Sequence, residues 1–492
     1  MEQMMTSETP EIPLGTLELE SLPGKPDIPL EDEECRKGET VLEEENLAFE
    51  GAETLQGELT PLTYVDFMPR CLGTGYLKGQ IPDFAEFGTV VEQANQWLES
   101  MPQYTVWKCE TVGKKLNNHD YQLDNDAVFI HLSSHGNNAF LMGLRLWLTP
   151  KMNPDAPVQK LSYISVLPEE NAQGGGSVAD VVSNILNQQT GFRFGGAQLF
   201  GQFNSLSKTL EKLFRQFQLN PISGEILNVE TIKLLMSDSK PNPETTCSVE
   251  TGRTNRLFVF ALRIFYVIGE PAFETLGAKD IIPDYTCNTE GMIQRLKFAT
   301  YRSTVQKASD WLKKQQGIKV VNVQTIDVKV LKLPNGNIEF DSDSSGYGEM
   351  AFEDSCQFLK VLRIYYVKKQ KVTSLDATPT TNMTSRLFVP VRKNQTGKVF
   401  ECFSKTMQRV IAWLNVTQTP LLSMESVQYM VNPESWGTGV AEDRVDTTKN
   451  QSSGRYQLTC IRLYFPQDFE EPSPDLLPPT KEDEEGWMCV IS

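Results

Sequence analysis

Along residues 61–465, stretches with a helical period alternate with stretches of strand character, and the alternation comes round four times. In three of the four rounds the helical stripe is plain: Phe87, Val90, Val91, Ala94, Trp97 and Leu98; Tyr301, Thr304, Val305, Ala308, Trp311 and Leu312; Phe403, Met407, Val410, Trp413 and Leu414. Steps of three and four residues put these side chains on one face of a helix of about three turns. A β-branched run follows, as in 318–323, then a polar segment with Gly and Ser, as in 341–348, then a second strand. Another strand-like run, 161–166 or 386–391, stands ahead of the helix. The pattern predicts an α+β fold of four tandem strand-helix-strand-strand units, each a small antiparallel sheet packed on one helix.

Three ordered marks define the repeat. The last strand carries aliphatic-Arg-aliphatic-aromatic: Leu144-Arg145-Leu146-Trp147, Leu262-Arg263-Ile264-Phe265, Leu362-Arg363-Ile364-Tyr365 and Ile461-Arg462-Leu463-Tyr464. Ahead of it stand Cys109-Glu110-Thr111-Val112, Val229-Glu230-Thr231-Ile232, Val323-Gln324-Thr325-Ile326 and Met424-Glu425-Ser426-Val427. An aromatic at the helix end, Trp97, Phe217, Trp311 or Trp413, precedes this second mark by 12, 12, 12 and 11 residues. Three marks in one order in four places indicate duplication. The four aromatics are expected to be largely buried at equivalent helix ends.

In the third Arg strand, Phe358, Leu362, Ile364 and Tyr366 share one face, and Leu359, Val361, Arg363, Tyr365 and Val367 share the other. Side chains alternate faces along a strand, so both faces are apolar and both need a cover. The unit's own helix covers one. A sheet from a neighbouring unit is expected on the other; the alternative is a ligand cavity. Arg145, Arg263, Arg363 and Arg462 fall beside aromatics on that second face, as structural interface residues or, alternatively, as anion sites.

The pattern divides the chain into residues 1–60, four units at 61–150, 151–270, 271–370 and 371–465, and residues 466–492. Charge sharpens the division. Residues 1–60 carry a net −14 and residues 466–492 a net −7; set against −18 for the whole chain, this leaves the body at +3. Acidic, Pro-rich and poor in aromatics, both tails are expected to be disordered. No basic stripe with interleaved aromatics occurs, so no nucleic-acid partner is expected. No apolar run reaches 18 residues, and Met1-Glu2-Gln3-Met4-Met5 lacks the features of a signal peptide or a myristoyl site. Sequons begin at Asn382, Asn394, Asn415 and Asn450 and are read as chance matches. Nine cysteines without a C-x-x-C pair argue against a zinc ribbon or a disulfide framework, and Cys109, Cys356 and Cys460 are expected in buried strands.

Cys489-Val490-Ile491-Ser492 reads as a prenylation box: a thiolate nucleophile, an aliphatic pair for the transferase groove and a terminal Ser that favours farnesyl. It implies a prenyltransferase, a prenyl-binding carrier, membrane contact through one lipid at Cys489, and residence in the cytoplasm and on cytoplasmic membrane faces.

Other chemistry is sparse. His131 and His135 are four apart but lie in a strand running into a turn, without the Glu of a zinc-protease helix, and His119 stands alone. Ser133 and Ser134 lack a nucleophile elbow. Gly174-Gly175-Gly176-Ser177 opens an extra helical stretch in the second unit but lacks the P-loop Lys. No metal, cofactor or catalytic residue is assigned. The expected function is a non-catalytic, farnesylated adaptor or scaffold with an unidentified protein partner. The alternatives are a lipid or small-ligand carrier using the second sheet face, and an enzyme of unrecognised class.

Overall fold

A computed structural model of the chain describes residues 62–73, 82–117, 121–133, 136–170, 203–236, 241–250, 256–290, 293–332, 338–349, 355–369, 382–393, 399–431, 440–450 and 455–478. Each of the four units forms the expected elements. The first holds β1 (Thr63–Phe67), α1 (Phe87–Ser100), β2 (Tyr104–Lys115), β3 (Phe129–Leu132) and β4 (Asn138–Pro150). The second holds β5 (Leu161–Val166), α2 (Leu206–Leu219), β6 (Gly224–Leu235), β7 (Cys247–Glu250) and β8 (Arg256–Ile268). The third holds β9 (Glu274–Ile281), a hairpin of β10 (Tyr285–Glu290) and β11 (Ile293–Phe298), α3 (Tyr301–Leu312), β12 (Ile318–Lys332), β13 (Ile338–Glu339), β14 (Gly346–Glu349) and β15 (Ser355–Lys369). The fourth holds β16 (Thr384–Phe388), α4 (Phe403–Thr417), β17 (Ser423–Val431), β18 (Asp446–Asn450) and β19 (Arg455–Phe465).

Four small antiparallel sheets, each with a helix, stand in a ring like the blades of a four-bladed propeller. β2, β6, β12 and β17 are the inner strands, each touching the next. The Arg-bearing strand is the middle of each sheet, paired to the inner strand on one edge. Its other edge is shared end to end by two strands. The unit's own first strand takes one half, as β1 does along Leu144–Leu148 of β4. A short strand lent by the following unit takes the rest: β7 on β4, β14 on β8, β18 on β15, and β3 of the first unit on β19 of the fourth. Every sheet is thus completed by its neighbour, and the last by the first.

The second sheet face is not covered as expected. It takes the helix of the preceding unit rather than a sheet. Trp147 enters the cluster around Phe403, Val410 and Trp413 of α4. Phe265 packs with Phe87, Val90 and Ala94 of α1; Tyr365 with Leu213 and Phe217 of α2; Tyr464 with Tyr301, Val305 and Ala308 of α3. A helix wedged between two blades gives both sheets an apolar cover; sheets meet directly along their inner strands and, between the second and third, where Phe358 packs on Phe258 and Tyr347.

The helix-end aromatics differ among themselves. Trp413 is fully buried and Phe217 is buried, but Trp97 and Trp311 are half-buried. The buried face of α1 is already filled by Phe87, Val90, Val91, Ala94 and Leu98, and Trp97 lies on its flank, stacked on Tyr104. Trp311 lies likewise against Tyr366. Trp311→Ala is therefore expected to cost about 1–2 kcal/mol in urea unfolding, against the ~3–5 of an enclosed aromatic. A loss above 3 would show that the residue is core after all.

The body does not end at residue 465. Phe469 packs edge-on against Trp413, and Glu471 accepts a hydrogen bond from the Trp413 indole at 3.1 Å and from Arg386 at 2.7 Å. So the segment beginning at 466, expected as disordered tail, starts as packed chain. The rest of that tail from 479, the leader 1–61 and the Gly174–Ser177 stretch lie outside the described residues.

Candidate functional site

The second sequence mark forms a closed circle of clasps at the hub. The acid or amide of each unit accepts hydrogen bonds from the hydroxyl residue of the unit before it. Glu230 accepts from the Thr111 amide at 3.0 Å and from its hydroxyl. Gln324 accepts from the Thr231 amide at 2.8 Å and donates back to its carbonyl at 2.9 Å. Glu425 accepts from the Thr325 amide at 2.7 Å and hydroxyl at 2.5 Å. Glu110 closes the circle by accepting from the Ser426 amide at 2.6 Å. Charge-assisted bonds of this kind are among the stronger ones available to a buried joint.

The arginines sit in the same register row, opposite Glu110, Glu230, Gln324 and Glu425. All four are buried at the joints. Arg145 donates to Ser426 at 2.9 Å, Arg263 to Thr111 at 3.1 Å and Arg363 to Thr231 at 2.9 Å, each reaching back to the preceding unit. Three lie over the first aromatic of the preceding helix: Arg145 at 3.8 Å from the Phe403 ring, Arg263 at 3.6 Å from Phe87 and Arg462 at 3.5 Å from Tyr301. α2 begins with Leu206, and there Arg363 instead forms a two-pronged pair with Asp280, at 2.7 and 2.8 Å. Arg145 pairs with Asp66 in the same way.

A further circle had no place in the sequence reading. Each helix is capped by an acid of the following unit. Asp126 accepts from the Ser404 amide at 2.7 Å, Glu244 from Gly88 at 3.2 Å, Asp343 from Ser207 at 2.7 Å and Asp443 from Arg302 at 3.2 Å. The first-turn amides of a helix lack intrahelical partners, and an anion there also meets the positive end of the helix dipole.

One layer along the axis from the clasps, the equivalent positions are Lys108, Asn228, Asn322 and Ser423. The Lys108 ammonium donates to Asn322 Oδ1 at 2.6 Å, to Ser423 Oγ at 2.8 Å and to the Met424 carbonyl. Asn228 and Asn322 donate to the Cys109 and Val229 carbonyls, both at 2.7 Å. Burial lowers the Lys108 pKa to about 8, against the pull of Glu110, Glu425 and Glu230. Burial also raises Glu230 to about 7, against the Thr111 hydrogen bonds and Arg263.

From the Lys108 layer past the clasps the axis opens into three adjoining cavities. One of about 200 Å³ runs from Lys108 past the clasp residues to Asp327, Lys360 and Gln428. Another of about 200 Å³ is lined by Lys233, Asp327, Lys360, Lys449, Thr447 and Gln457 among others. The third, about 380 Å³, lies between the first and fourth units beside Lys114, Lys115, His131 and Gln428. Shared residues join the three: Glu110, Thr111, Ser426 and Gln428 on one side, Gln324, Thr325, Asp327 and Lys360 on the other.

The remaining sequence candidates are not brought together. His131 is stacked on Tyr456 at 4.7 Å, while His119 and His135 lie outside the described residues. Among the described residues no cluster of His, Cys, Asp and Glu has the makings of a metal site. Cys109, Cys356 and Cys460 are buried, and burial pushes the Cys109 and Cys460 thiols up. Cys489, Val490, Ile491 and Ser492 lie outside the described residues. No described helix is long and apolar enough to cross a membrane. Compared with protein-family models, curated proteins and solved structures, the chain matches none.

Proposed function

We propose that the protein is a non-catalytic scaffold: a closed four-unit ring brought to cytoplasmic membrane faces by farnesylation at Cys489. The observation that carries this reading is the use made of the recurring polar residues. The Glu/Gln–Thr/Ser pairs and the arginines, the polar positions common to all four units, are engaged at the joints. Residues that hold blades together make a rigid body whose outer loops are free to differ. That arrangement suits presentation of partner-binding segments better than a repeated reaction centre. A carrier that sequesters lipid against the second sheet face fits less well, because the preceding helix occupies that face.

The membrane half of the proposal rests on Cys489-Val490-Ile491-Ser492 being the carboxyl terminus. One lipid gives weak, reversible binding, with a partition constant on the order of 10⁴ M⁻¹ for a single myristoyl chain. Glu482, Asp483, Glu484 and Glu485 just upstream oppose anionic lipid. In fractionated cells the protein is expected in both cytosol and membranes, with Cys489→Ser wholly cytosolic. Equal membrane shares for the two forms would remove the lipid from the mechanism. Salt-resistant binding of the wild type to pure liposomes would reveal a second anchor.

A further inference from the structure

The cavity around Asp327 holds more positive charge than the fold uses. Lys233, Lys360 and Lys449 line it, with Asp327 as its one carboxylate. They come from three units but two sheets: Lys233 on β6 of the second sheet, and Lys360 on β15 and Lys449 on β18, which pair in the third. Lys360 pairs with Asp327 at 2.9 Å. Lys449 reaches Glu349 at 3.5 Å, but Glu349 is held more closely by Arg256 at 2.7 Å. Lys233 lies over the Phe258 ring at 4.4 Å, and among the described residues no carboxylate closes on it. Lys233 keeps solvent access; desolvation and then the neighbouring Lys449 charge lower its pKa, while Glu250, Glu349 and Asp327 act to raise it. Asp327 is held below its ordinary range, despite burial, first by Lys360 and then by Lys449. Its charge is therefore permanent near neutrality and already counted.

Like charges in a walled cavity attract a counter-ion far more strongly than the same charges in open solvent. The other lining groups are suited to an oxyanion. Thr447 offers a hydroxyl, and Gln428 and Gln457 offer amides, on two further segments of the wall. Phe260 and Tyr347 close one side.

We infer that this axial cavity binds a small anion bearing two or more phosphate-type charges, held between Lys233 and Lys449 with Lys360 shared between the anion and Asp327. The inference does not depend on the scaffold reading. A bound polyanion neutralises charge contributed by three units on two neighbouring sheets, and so acts as a pin between those sheets from within.

Calorimetric titration of the full chain with inorganic pyrophosphate at low ionic strength is the test. Binding is expected, weaker for orthophosphate and weaker again as salt is raised. Lys233→Gln and Lys449→Gln should each cost roughly tenfold in affinity, the loss of one charge-assisted contact. Asp327→Asn should tighten binding roughly fivefold or more, because it removes the one lining carboxylate and frees Lys360. A purely structural Asp327 gives no such gain. Lys319→Gln, removing an exposed partner of Glu225, should leave affinity unchanged. ADP in place of pyrophosphate assigns the source: tighter binding means a nucleotide, weaker binding a free polyphosphate. No binding of pyrophosphate or ADP to the wild type at millimolar concentration overturns the proposal. So does full binding by a Lys233→Gln/Lys449→Gln double variant.

Discussion

Trp147→Ala is expected to destabilise the protein by about 3–5 kcal/mol in urea unfolding of the full chain. Trp147 is fully buried, but not in its own unit. Its ring lies in the core built on α4, with Phe403, Trp413 and Leu463 in the same cluster, and its indole donates to Glu110 at 3.1 Å. Truncation leaves a large cavity lined by rigid rings and removes a donor from the clasp between the first and fourth units. The contact also closes the ring. Phe265, Tyr365 and Tyr464 make the equivalent insertion between units adjacent in sequence, where the chain itself keeps the partners near. Trp147 joins the two ends of the chain, where loop-closure entropy opposes contact most. Amide exchange in β3, the strand lent across the same joint, should accelerate with the substitution. A loss below about 1 kcal/mol, with β3 protection unchanged, would mean that α4 does not seat on the first sheet.

Much of this architecture was legible because its signals are local. The three- and four-residue steps of Phe87 to Leu98, or Tyr301 to Leu312, mark helices without reference to any partner. The two apolar faces of the Arg strand likewise announced that each needed a cover. They did not announce which cover, because a helix and a sheet offer a strand the same chemistry, an apolar surface. The clasps were visible as Glu110-Thr111 and its counterparts, but their meaning was not. Thr111 meets Glu230, 119 residues away, and Ser426 meets Glu110, 316 residues away. The capping acids did leave a signal. Asp126, Glu244, Asp343 and Asp443 each stand three residues before the start of the lent strand, at Phe129, Cys247, Gly346 and Asp446. A reader looking for a side chain common to four loops would have found it. The lysine-lined cavity left no such trace: Lys233, Lys360 and Lys449 occupy different positions in different units, and only the packing of the second, third and fourth units on one another brings them together.

Glu230→Gln is expected to stabilise the protein in a pH-dependent manner, by roughly 3 kcal/mol at pH 8 relative to its effect at pH 4, using about 1.36 kcal/mol per pKa unit. Glu230 is 3% exposed, and burial raises its pKa from an ordinary 4.5 to about 7. A raised folded-state pKa means that the folded protein holds this proton more tightly than the unfolded chain does. The stability linked to it is therefore complete below about pH 4.5 and drains away as pH climbs through 7, where the folded carboxyl must ionise. Glutamine cannot ionise, so the variant and wild type should diverge across that window and run parallel above it. The clasp itself survives the change. Gln324 performs the same task in the third unit, accepting from the Thr231 amide at 2.8 Å through its carbonyl oxygen. The amide nitrogen of the new side chain would have the Thr111 carbonyl as its natural acceptor, as Gln324 has that of Thr231 at 2.9 Å. Lys108 acts on stability in the opposite sense, since its lowered pKa removes stability as pH falls through about 8. Glu230 is one of the carboxylates that hold the Lys108 pKa up, so the Lys108 contribution differs slightly between the two proteins and offsets a small part of the gain. Urea unfolding at pH 4, 5.5, 7 and 8 reads the result directly. A difference between the two proteins that stays constant with pH would show that Glu230 is already ionised throughout, held by Thr111 and Arg263 more firmly than its burial allows.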